Sequence, residues 1–305
     1  MQRARLRTSE WVLIFFFGYV TAIAPFFRER PSVKFQPVFL FALIFALVGL
    51  AAHTARSRFA KLANIVRDWL PLGFTLLAFR EMELFVPSRF DHHLESRWIQ
   101  WDDLILREWH FRALIEGLGR FMPLVLESSY LLVYGIGFFC IALPYFEHRR
   151  EQVDRFLTVY LTGTLLAYAF FPYFPSEPPR ILFPDLFRPA IRGGIRSLNL
   201  WLLNTATIHV GVFPSAHVSS AFSAAWFFLV YARRSTWGLG LLAYAIVVSV
   251  ATVYGRYHYA ADVFAGFAIS LAAALVSLLM RRQQMYASET ALPIVEHQPS
   301  KSGNF

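Results

Sequence analysis

Long apolar runs dominate this sequence and limit what it can fold into. Of the 305 residues, 56% are apolar and 16% are charged, whereas soluble domains average about 45–50% apolar and about 25% charged. A helix of roughly 20 mostly apolar residues spans a bilayer. We therefore predict an all-α, polytopic membrane protein and exclude an ordinary soluble enzyme. The runs near that length predict about eight spans, at residues 11–27, 37–53, 69–86, 121–145, 153–172, 218–232, 237–255 and 262–280.

The net charge of +9 does not indicate a nucleic-acid partner. Of the 29 basic residues, 26 are Arg, and they are scattered between the apolar runs, which is typical of charges that flank membrane helices. With eight spans, the side that holds both termini collects 15 basic residues and the other side 13. This small bias favours cytoplasmic termini, with loops 87–120, 173–217 and 254–261 on the extracytoplasmic side. Cys140 is the single cysteine, so the chain forms no internal disulfide.

Three polar motifs stand at the ends of predicted spans. Residues 174–180 read Phe-Pro-Ser-Glu-Pro-Pro-Arg, residues 213–217 read Phe-Pro-Ser-Ala-His, and residues 254–262 read Tyr-Gly-Arg-Tyr-His-Tyr-Ala-Ala-Asp. Antiparallel neighbouring helices would bring all three motifs to one face of the membrane. The sequence therefore predicts a polar site built from these segments.

Two histidines and an aspartate in these motifs suit covalent catalysis. His258 and Asp262 are four residues apart, so on a helix they share a face. A carboxylate bonded to one ring nitrogen fixes the tautomer and leaves the other nitrogen nucleophilic. His217 can protonate a departing oxygen, an effect worth about 10²–10⁴ in rate. We therefore predict that His258, His217 and Asp262 are catalytic.

Three further residues are candidates for binding a phosphate. Arg180 and Arg256 can grip phosphate oxygens with their guanidinium groups, and Ser215 stands at a helix start, where anions bind. Each has a plain alternative, since arginines at span ends often reach for lipid headgroups and serine is a common helix N-cap. Nucleophile, acid and anion clamp together indicate phosphoryl transfer.

These motifs resemble those of the type 2 phosphatidic acid phosphatase superfamily. The pattern Pro-Ser-x-His, followed 41 residues later by His-Tyr-x-x-Asp-Val, carries the resemblance, which extends over roughly residues 69–280. It implies a six-helix catalytic core in which His258 forms a phosphohistidine, Asp262 orients it and His217 is the acid. It also implies an active site on the extracytoplasmic side, and the scheme uses no metal or other cofactor.

The chain departs from the superfamily pattern at its cationic positions. Tyr173 stands where the family has a lysine, and Ile181 follows Arg180 where the family has proline. Thr252 stands where the family has an arginine, and Arg256 is the candidate replacement. The Pro-x-x-Pro-Pro-Arg and Tyr-x-Arg-Tyr-His-Tyr patterns look like the branch that contains inositol phosphorylceramide synthases. Those enzymes are phosphotransferases, and sphingomyelin synthases are more distant relatives.

The chain divides on this reading into two N-terminal spans (1–68), the catalytic core (69–282) and a polar, disordered tail (283–305). Residues 98–115 mix three tryptophans with charged residues and predict a helix lying in the membrane interface. Glu127 and Tyr173 are auxiliary candidates, although the favoured interpretation of Glu127 is a buried partner for an arginine or for Tyr130.

A metal site is a weaker candidate. His92 and His93 with Asp91, Asp102 and Asp103 offer ligand types, but adjacent histidines seldom converge on one ion, so we predict none.

Three functions remain open from the sequence. A lipid phosphatase would pass phosphate to water, and a phosphotransferase would pass it to an alcohol such as a lipid or polyol acceptor. A membrane transporter or scaffold would keep the bundle without catalysis. In the first two cases the partner is a phospholipid or lipid phosphate.

Overall fold

The computed structural model describes residues 5–27, 30–87, 91–190, 193–206, 208 and 210–290, with side chains as far as Leu279. These residues form helices joined by turns, with no strand among them. The all-α prediction is therefore confirmed. The helices are α1 (Thr8–Ile23), α2 (Gln36–Thr54), α3 (Ala60–Glu81), α4 (His93–Asp103), α5 (Phe111–Gly117), α6 (Phe121–Leu132), α7 (Ile136–Phe146), α8 (Val153–Phe170), α9 (Pro179–Leu182), α10 (Gly194–Ala206), α11 (Ala216–Trp226), α12 (Ser235–Tyr254) and α13 (Ala260–Thr290).

The described helices include six segments that are long and apolar enough to cross a membrane, and the chain is an integral membrane protein. They are Thr8–Phe26, Gln36–Thr54, Ala60–Phe85, Phe121–Phe146, Ser235–Tyr254 and Ala260–Leu279.

Two of the eight predicted spans do not reach this length and hydropathy. They correspond to α8 and to Ala216–Tyr231, which is α11 with one π-helical turn. Both carry several serines or threonines, and both are largely buried against other helices, where hydroxyl groups find partners. The count of eight spans therefore stays a prediction.

Helix α11 lies at the centre of the bundle. It packs against α8, α12 and α13, while α1 covers α8 and α2 packs on α1 and α3. Small residues allow the close approach. The Ser219 hydroxyl donates to the Gly163 carbonyl at 2.9 Å, and a Cβ at Gly163 would lie 2.1 Å from the Ser223 oxygen. The start of α11 is thereby held firmly within the bundle.

A buried ionic network joins the helices at the end of the bundle away from the polar motifs. Asp68 accepts from Arg7 and Arg150, each at 2.6 Å, and Arg67 pairs with Glu10 at 2.6 Å. These contacts attach α1 directly to α3 and the start of α8. The predicted boundary between residues 68 and 69 therefore lies inside α3, because Arg67 and Asp68 are buried partners rather than a polar linker.

The predicted tail begins within a helix. Helix α13 continues to Thr290, past Gln283, through residues that favour helix such as Arg, Gln, Met and Ala. The rest of the predicted disordered tail, residues 291–305, lies outside the described residues.

The predicted interfacial segment is two helices rather than one. Helix α4 ends in a π-helical turn at Leu104–Glu108, and the chain reverses at His110, where φ is +55°, before α5. One face of α4 is buried against the bundle, with Glu95 and Asp102 almost inaccessible, whereas Trp101 and Trp109 are exposed. This segment therefore contacts the helices that carry the polar motifs.

The contact between Gly266 of α13 and the start of α11 gives a test of this packing. A Cβ at Gly266 would lie 2.4 Å from the backbone oxygen of Ser215, and such overpacking costs about 1–3 kcal/mol. We expect Gly266→Ala to lower the unfolding temperature of the purified protein in detergent. Gly73→Ala is the matched control, because nothing lies within 4 Å of its added Cβ. Equal unfolding temperatures for the two variants would contradict this packing.

Candidate active site

The three polar motifs meet at one end of the bundle. Nδ1 of His217, in the first turn of α11, lies 3.3 Å from Nε2 of His258. Nδ1 of His258 lies 3.2 Å from the Asp262 carboxylate, in the first turn of α13. The structure therefore brings the side chains of His217, His258 and Asp262 into one row of successive contacts, and the predicted convergence of the motifs is observed.

The partners of His258 define its tautomer. Its Nδ1 also lies 3.0 Å from the carbonyl oxygen of Val212, and a carbonyl can only accept a hydrogen bond. Nδ1 therefore carries the proton, and the Nε2 lone pair points toward His217. Burial, together with the positive charge of Arg180, lowers the pKa of His258 to about 3. The ring is thus neutral at ordinary pH, with Nε2 free to act as a nucleophile.

Asp262 holds the two motif segments together as well as orienting His258. Its carboxylate accepts from the backbone N–H of Tyr259 at 2.9 Å, which closes the first turn of α13. Its backbone carbonyl accepts from the N–H of Ser215 at 3.0 Å, which fixes the start of α11 beside it. Through these two contacts, Asp262 fixes the position of His217 relative to His258.

The histidine pair opens into a cavity of about 420 Å³ inside the bundle. That volume is within the range of small-molecule sites. Arg180 lines it beside His217 and His258, and most other lining residues are apolar or carry neutral hydroxyl groups. The hydroxyl-bearing residues are Thr75, Tyr130, Tyr134, Tyr160, Thr164, Tyr168, Ser220 and Tyr257.

Arg180 lines the cavity with a guanidinium group that has no hydrogen-bond acceptor among the described residues. Its backbone N–H donates to the carbonyl of Arg256 at 3.2 Å, which fixes α9 against the loop that carries His258. None of the described residues accepts a hydrogen bond from its guanidinium group. Burial lowers the pKa of Arg180, but an arginine remains charged at ordinary pH. This cation is therefore available to an anion in the cavity.

Arg256 does not line the cavity. Its guanidinium group is almost fully buried and pairs with Asp102 at 3.1 Å, and it lies over the ring of Phe187. Asp102 also accepts from the backbone N–H of Ala260 at 2.9 Å. The structure thus does not bring Arg256 to the cavity, because a buried carboxylate already pairs with its charge, and its phosphate-binding role stays a prediction.

Ser215 and Tyr173 are also placed away from the cavity. Ser215 is fully buried and is the N-cap of α11, its hydroxyl accepting from the Val218 N–H at 3.4 Å. The structure therefore favours the plain N-cap role over a phosphate contact. Tyr173 is 52% exposed, and its hydroxyl group bonds that of Tyr19 at 3.1 Å. It is an auxiliary candidate that the structure does not bring to the site.

Glu127 is the buried partner of an arginine, the plainer of the two readings of this residue. It pairs with Arg196 at 2.6 Å and accepts from the amide of Asn199 at 2.8 Å and from the hydroxyl of Tyr257 at 2.5 Å. The ring of Tyr257 stacks on Tyr130, with centroids 4.0 Å apart. Glu127 therefore secures a wall of the cavity and the residue that precedes His258.

Sequence reasoning considered Asp102 only as a metal ligand and missed its link to the His258 loop. The signal was the spacing of Glu95, Trp98, Asp102 and Leu106, which follows one face of a helix. In the structure Glu95, Asp102 and Leu106 are buried, and Trp98 stacks on Phe213, the residue before the Pro-Ser-x-His motif. A helix with acids on its inward face must find cations or N–H groups there.

The histidines considered for a metal site do not converge. His93 contacts Asp91 at 2.5 Å, and both side chains are exposed, whereas His92 contacts Glu95 at 3.2 Å. Within the described residues, no group of three or more His, Cys, Asp or Glu is placed to hold a metal ion.

Comparison with known proteins gives a family match for most of this region. A family model of the PAP2 superfamily, the type 2 phosphatidic acid phosphatases, matches residues 108–276, which is more than half of the chain. No curated protein sequence matches significantly. Among solved structures, LpxE from Aquifex aeolicus is 21% identical, with an alignment that covers 58% of this chain and 97% of that chain at a TM-score of 0.43.

The different placements of Arg180 and Arg256 predict opposite behaviour on substitution. Inorganic phosphate at roughly 100 times its Kd should stabilise the folded protein by about 2.7 kcal/mol. We expect Arg180→Gln to unfold at the temperature of the unmodified protein but to lose the stabilisation by phosphate. Arg256→Gln should lower the unfolding temperature without phosphate, because breaking a buried pair costs about 3–5 kcal/mol. Loss of phosphate stabilisation alone in Arg256→Gln would contradict this assignment.

Proposed function

This chain belongs to the PAP2 superfamily, and from that premise we propose that it is an integral-membrane lipid phosphatase or phosphotransferase. It acts on a phosphoester or phosphodiester of a lipid through a phosphohistidine on His258. The observation that carries the proposal is the chain from Asp262 through His258 to His217, which ends in a cavity beside the free guanidinium of Arg180.

The first step is attack of Nε2 of His258 on phosphorus. As the P–N bond forms, the P–O bond to the leaving alcohol breaks, and a proton from His217 neutralises the departing oxygen. A bound phosphate anion favours the protonated form of His217 that this step uses. The Asp262 carboxylate and the Val212 carbonyl hold the Nδ1 proton of His258 and balance the positive charge that develops on its ring.

The second step transfers the phosphoryl group from His258 to an acceptor. His217 removes a proton from the acceptor hydroxyl, the new P–O bond forms and the P–N bond breaks, which returns His258 to its neutral state. Water as acceptor makes the protein a phosphatase. An alcohol as acceptor makes it a phosphotransferase, as the resemblance to inositol phosphorylceramide synthases suggests.

The identity of the acceptor can be measured directly. Turnover in the presence of alcohols distinguishes the two forms of the proposal: released inorganic phosphate indicates water, and an exchanged lipid product indicates an alcohol. The extracytoplasmic position of the cavity stays a prediction from the basic-residue count.

A transporter or scaffold that keeps the bundle without catalysis is the alternative. In such a protein, two imidazoles and a free guanidinium group in a largely apolar cavity would lower stability without a compensating function, because desolvation of unpaired polar groups is unfavourable. The geometry is therefore better suited to the enzymatic proposal.

Substitution of His258 tests the nucleophile. We expect His258→Ala to lower turnover of lipid substrates by about 10³-fold or more, as removal of a nucleophile does elsewhere. With ³²P-labelled substrate and acid-free quenching, the unmodified protein should retain label on His258 and the variant should not. His93→Ala is the matched control, because His93 is exposed and lies outside the cavity. Equal turnover by His258→Ala and the control would reject the proposal.

Substitution of His217 tests the general acid. An alkoxide leaving group needs a proton, whereas p-nitrophenolate departs without one. We expect His217→Asn to lower the turnover of an alkyl phosphoester by about 10²–10⁴ and that of the matching p-nitrophenyl ester far less. A similar loss for both esters would indicate that His217 only positions His258.

A further inference from the structure

The hydroxyl groups that line the cavity differ in whether their protons are already used. A hydroxyl group has one proton to donate, so a group that donates within the protein has none left for a ligand. Four of the described lining residues donate to a backbone carbonyl or to the Glu127 carboxylate, namely Thr75, Thr164, Ser220 and Tyr257. The other hydroxyl groups of the described lining belong to the tyrosines Tyr130, Tyr134, Tyr160 and Tyr168.

Two of these four tyrosines lie beside the reactive histidines. The ring centres of Tyr130 and Tyr134 lie 5.3 and 5.1 Å from that of His217. The rings of Tyr160 and Tyr168 instead contact phenylalanines elsewhere in the bundle. Tyr130 and Tyr134 are therefore the phenols placed to meet a ligand that reaches both histidines.

The hydroxyl groups of Tyr130 and Tyr134 form a pair with one proton to spare. Helix α6 continues into a 3₁₀ turn at Val133–Gly135, and the two hydroxyl oxygens lie 3.4 Å apart, a long hydrogen bond. This bond uses one proton of the pair, and no described residue accepts the other. Tyr134 is 43% exposed, whereas Tyr130 is almost fully buried, so Tyr130 is the inner member of the pair.

The inner phenol is also a close neighbour of the free guanidinium group. Burial lowers the pKa of Arg180, whereas the phenols around it, which become anionic at high pH, raise that pKa, and Tyr130 has the largest such effect. The ring of Tyr130 is held by stacking on Tyr257, with centroids 4.0 Å apart. A buried donor without an acceptor is unfavourable, and an anion bound to Arg180 would supply the acceptor.

We propose, resting on the function proposed above, that Tyr130 is a second phosphate-binding residue, whose hydroxyl donates to a non-bridging oxygen of the phosphoryl group held by Arg180. Tyr134 is a positioning residue that donates to the Tyr130 hydroxyl. Hydrogen bonds in a chain polarise one another, so Tyr134 strengthens the donor that contacts the ligand. Arg180 balances the charge of the phosphoryl group, and Tyr130 fixes its orientation toward His258.

Phenylalanine substitutions test this chain, because they remove the hydroxyl groups and keep the rings. The readout is thermal stabilisation in detergent by inorganic phosphate at a series of concentrations. Each stabilisation is measured against the same variant without phosphate, so a change in stability alone does not count as lost binding. Tyr19→Phe is the matched control, because the Tyr19 hydroxyl donates to the Ala169 carbonyl outside the cavity.

The two substitutions should differ in size and should not add. We expect Tyr130→Phe to weaken phosphate binding by about 10-fold or more, the effect of losing a hydrogen bond to an anion. Tyr134→Phe should weaken it by only about 2- to 5-fold, because it removes polarisation and not the contact. The double variant should bind phosphate about as weakly as Tyr130→Phe alone.

Turnover should follow the same order as binding. The p-nitrophenyl ester isolates the phosphoryl contact, because its leaving group needs no proton from His217. We expect kcat/KM for this ester to fall by about 10-fold or more in Tyr130→Phe and less in Tyr134→Phe.

Three outcomes would overturn the inference: phosphate binding by Tyr130→Phe equal to that of Tyr19→Phe, a larger effect of Tyr134→Phe than of Tyr130→Phe, or no stabilisation of the unmodified protein by phosphate. Failure of the proposed function would appear differently, as absence of turnover and of label on His258 in the unmodified protein.

Discussion

The buried carboxylate of Asp102 links the segment between α3 and α6 to the loop that carries His258. One of its oxygens accepts from Arg256 and the other from the N–H of Ala260 at the start of α13. A second buried carboxylate, Glu127, restrains the same loop through Arg196, which pairs with Glu127 and donates to the Gly255 carbonyl at 3.3 Å. The loop is thus held between two buried carboxylates, and its backbone has little freedom. This restraint keeps Nε2 of His258 directed toward His217.

The two ends of the bundle use buried ion pairs differently. At the end that holds Asp68, each described buried acid has a cation or a hydroxyl partner: Asp68 bonds Arg7, Arg150 and Tyr145, and Glu10 bonds Arg67. Such complete pairing fixes α1, α3 and α8 relative to one another. At the other end, Asp102 and Glu127 are equally well paired, but Arg180 is not. The contrast distinguishes charges that are paired within the bundle from Arg180, the cation that we propose as the ligand-binding group.

The convergence of His217, His258 and Asp262 could be predicted from sequence because these residues are local to helix ends. His258 and Asp262 share a face by spacing alone, and the Pro-Ser-x-His motif places His217 in the first turn of α11. The distinction between Arg180 and Arg256 could not be predicted, because both are arginines in motif loops. It depends on Asp102, which lies 154 residues from Arg256 on a segment that reads as a membrane-interface helix. Likewise, hydropathy identifies six of the predicted spans. The central helices α8 and α11 pack mainly against other helices, so a hydropathy threshold suited to lipid-facing helices does not detect them.

A free guanidinium next to neutral imidazoles is unfavourable in a cavity of this kind unless something else lowers its cost. The bundle could have satisfied Arg180 with a carboxylate, as it does for Arg256, Arg196 and Arg67. Local departures from complete pairing are expected where a ligand supplies the missing group. Asp102 pairs with Arg256 and Glu127 with Arg196, so of these three arginines around the His258 loop Arg180 is the one left for an anion in the cavity. Because Arg180 and His258 line the same cavity, the function proposed above makes both binding and reaction depend on this single unpaired charge.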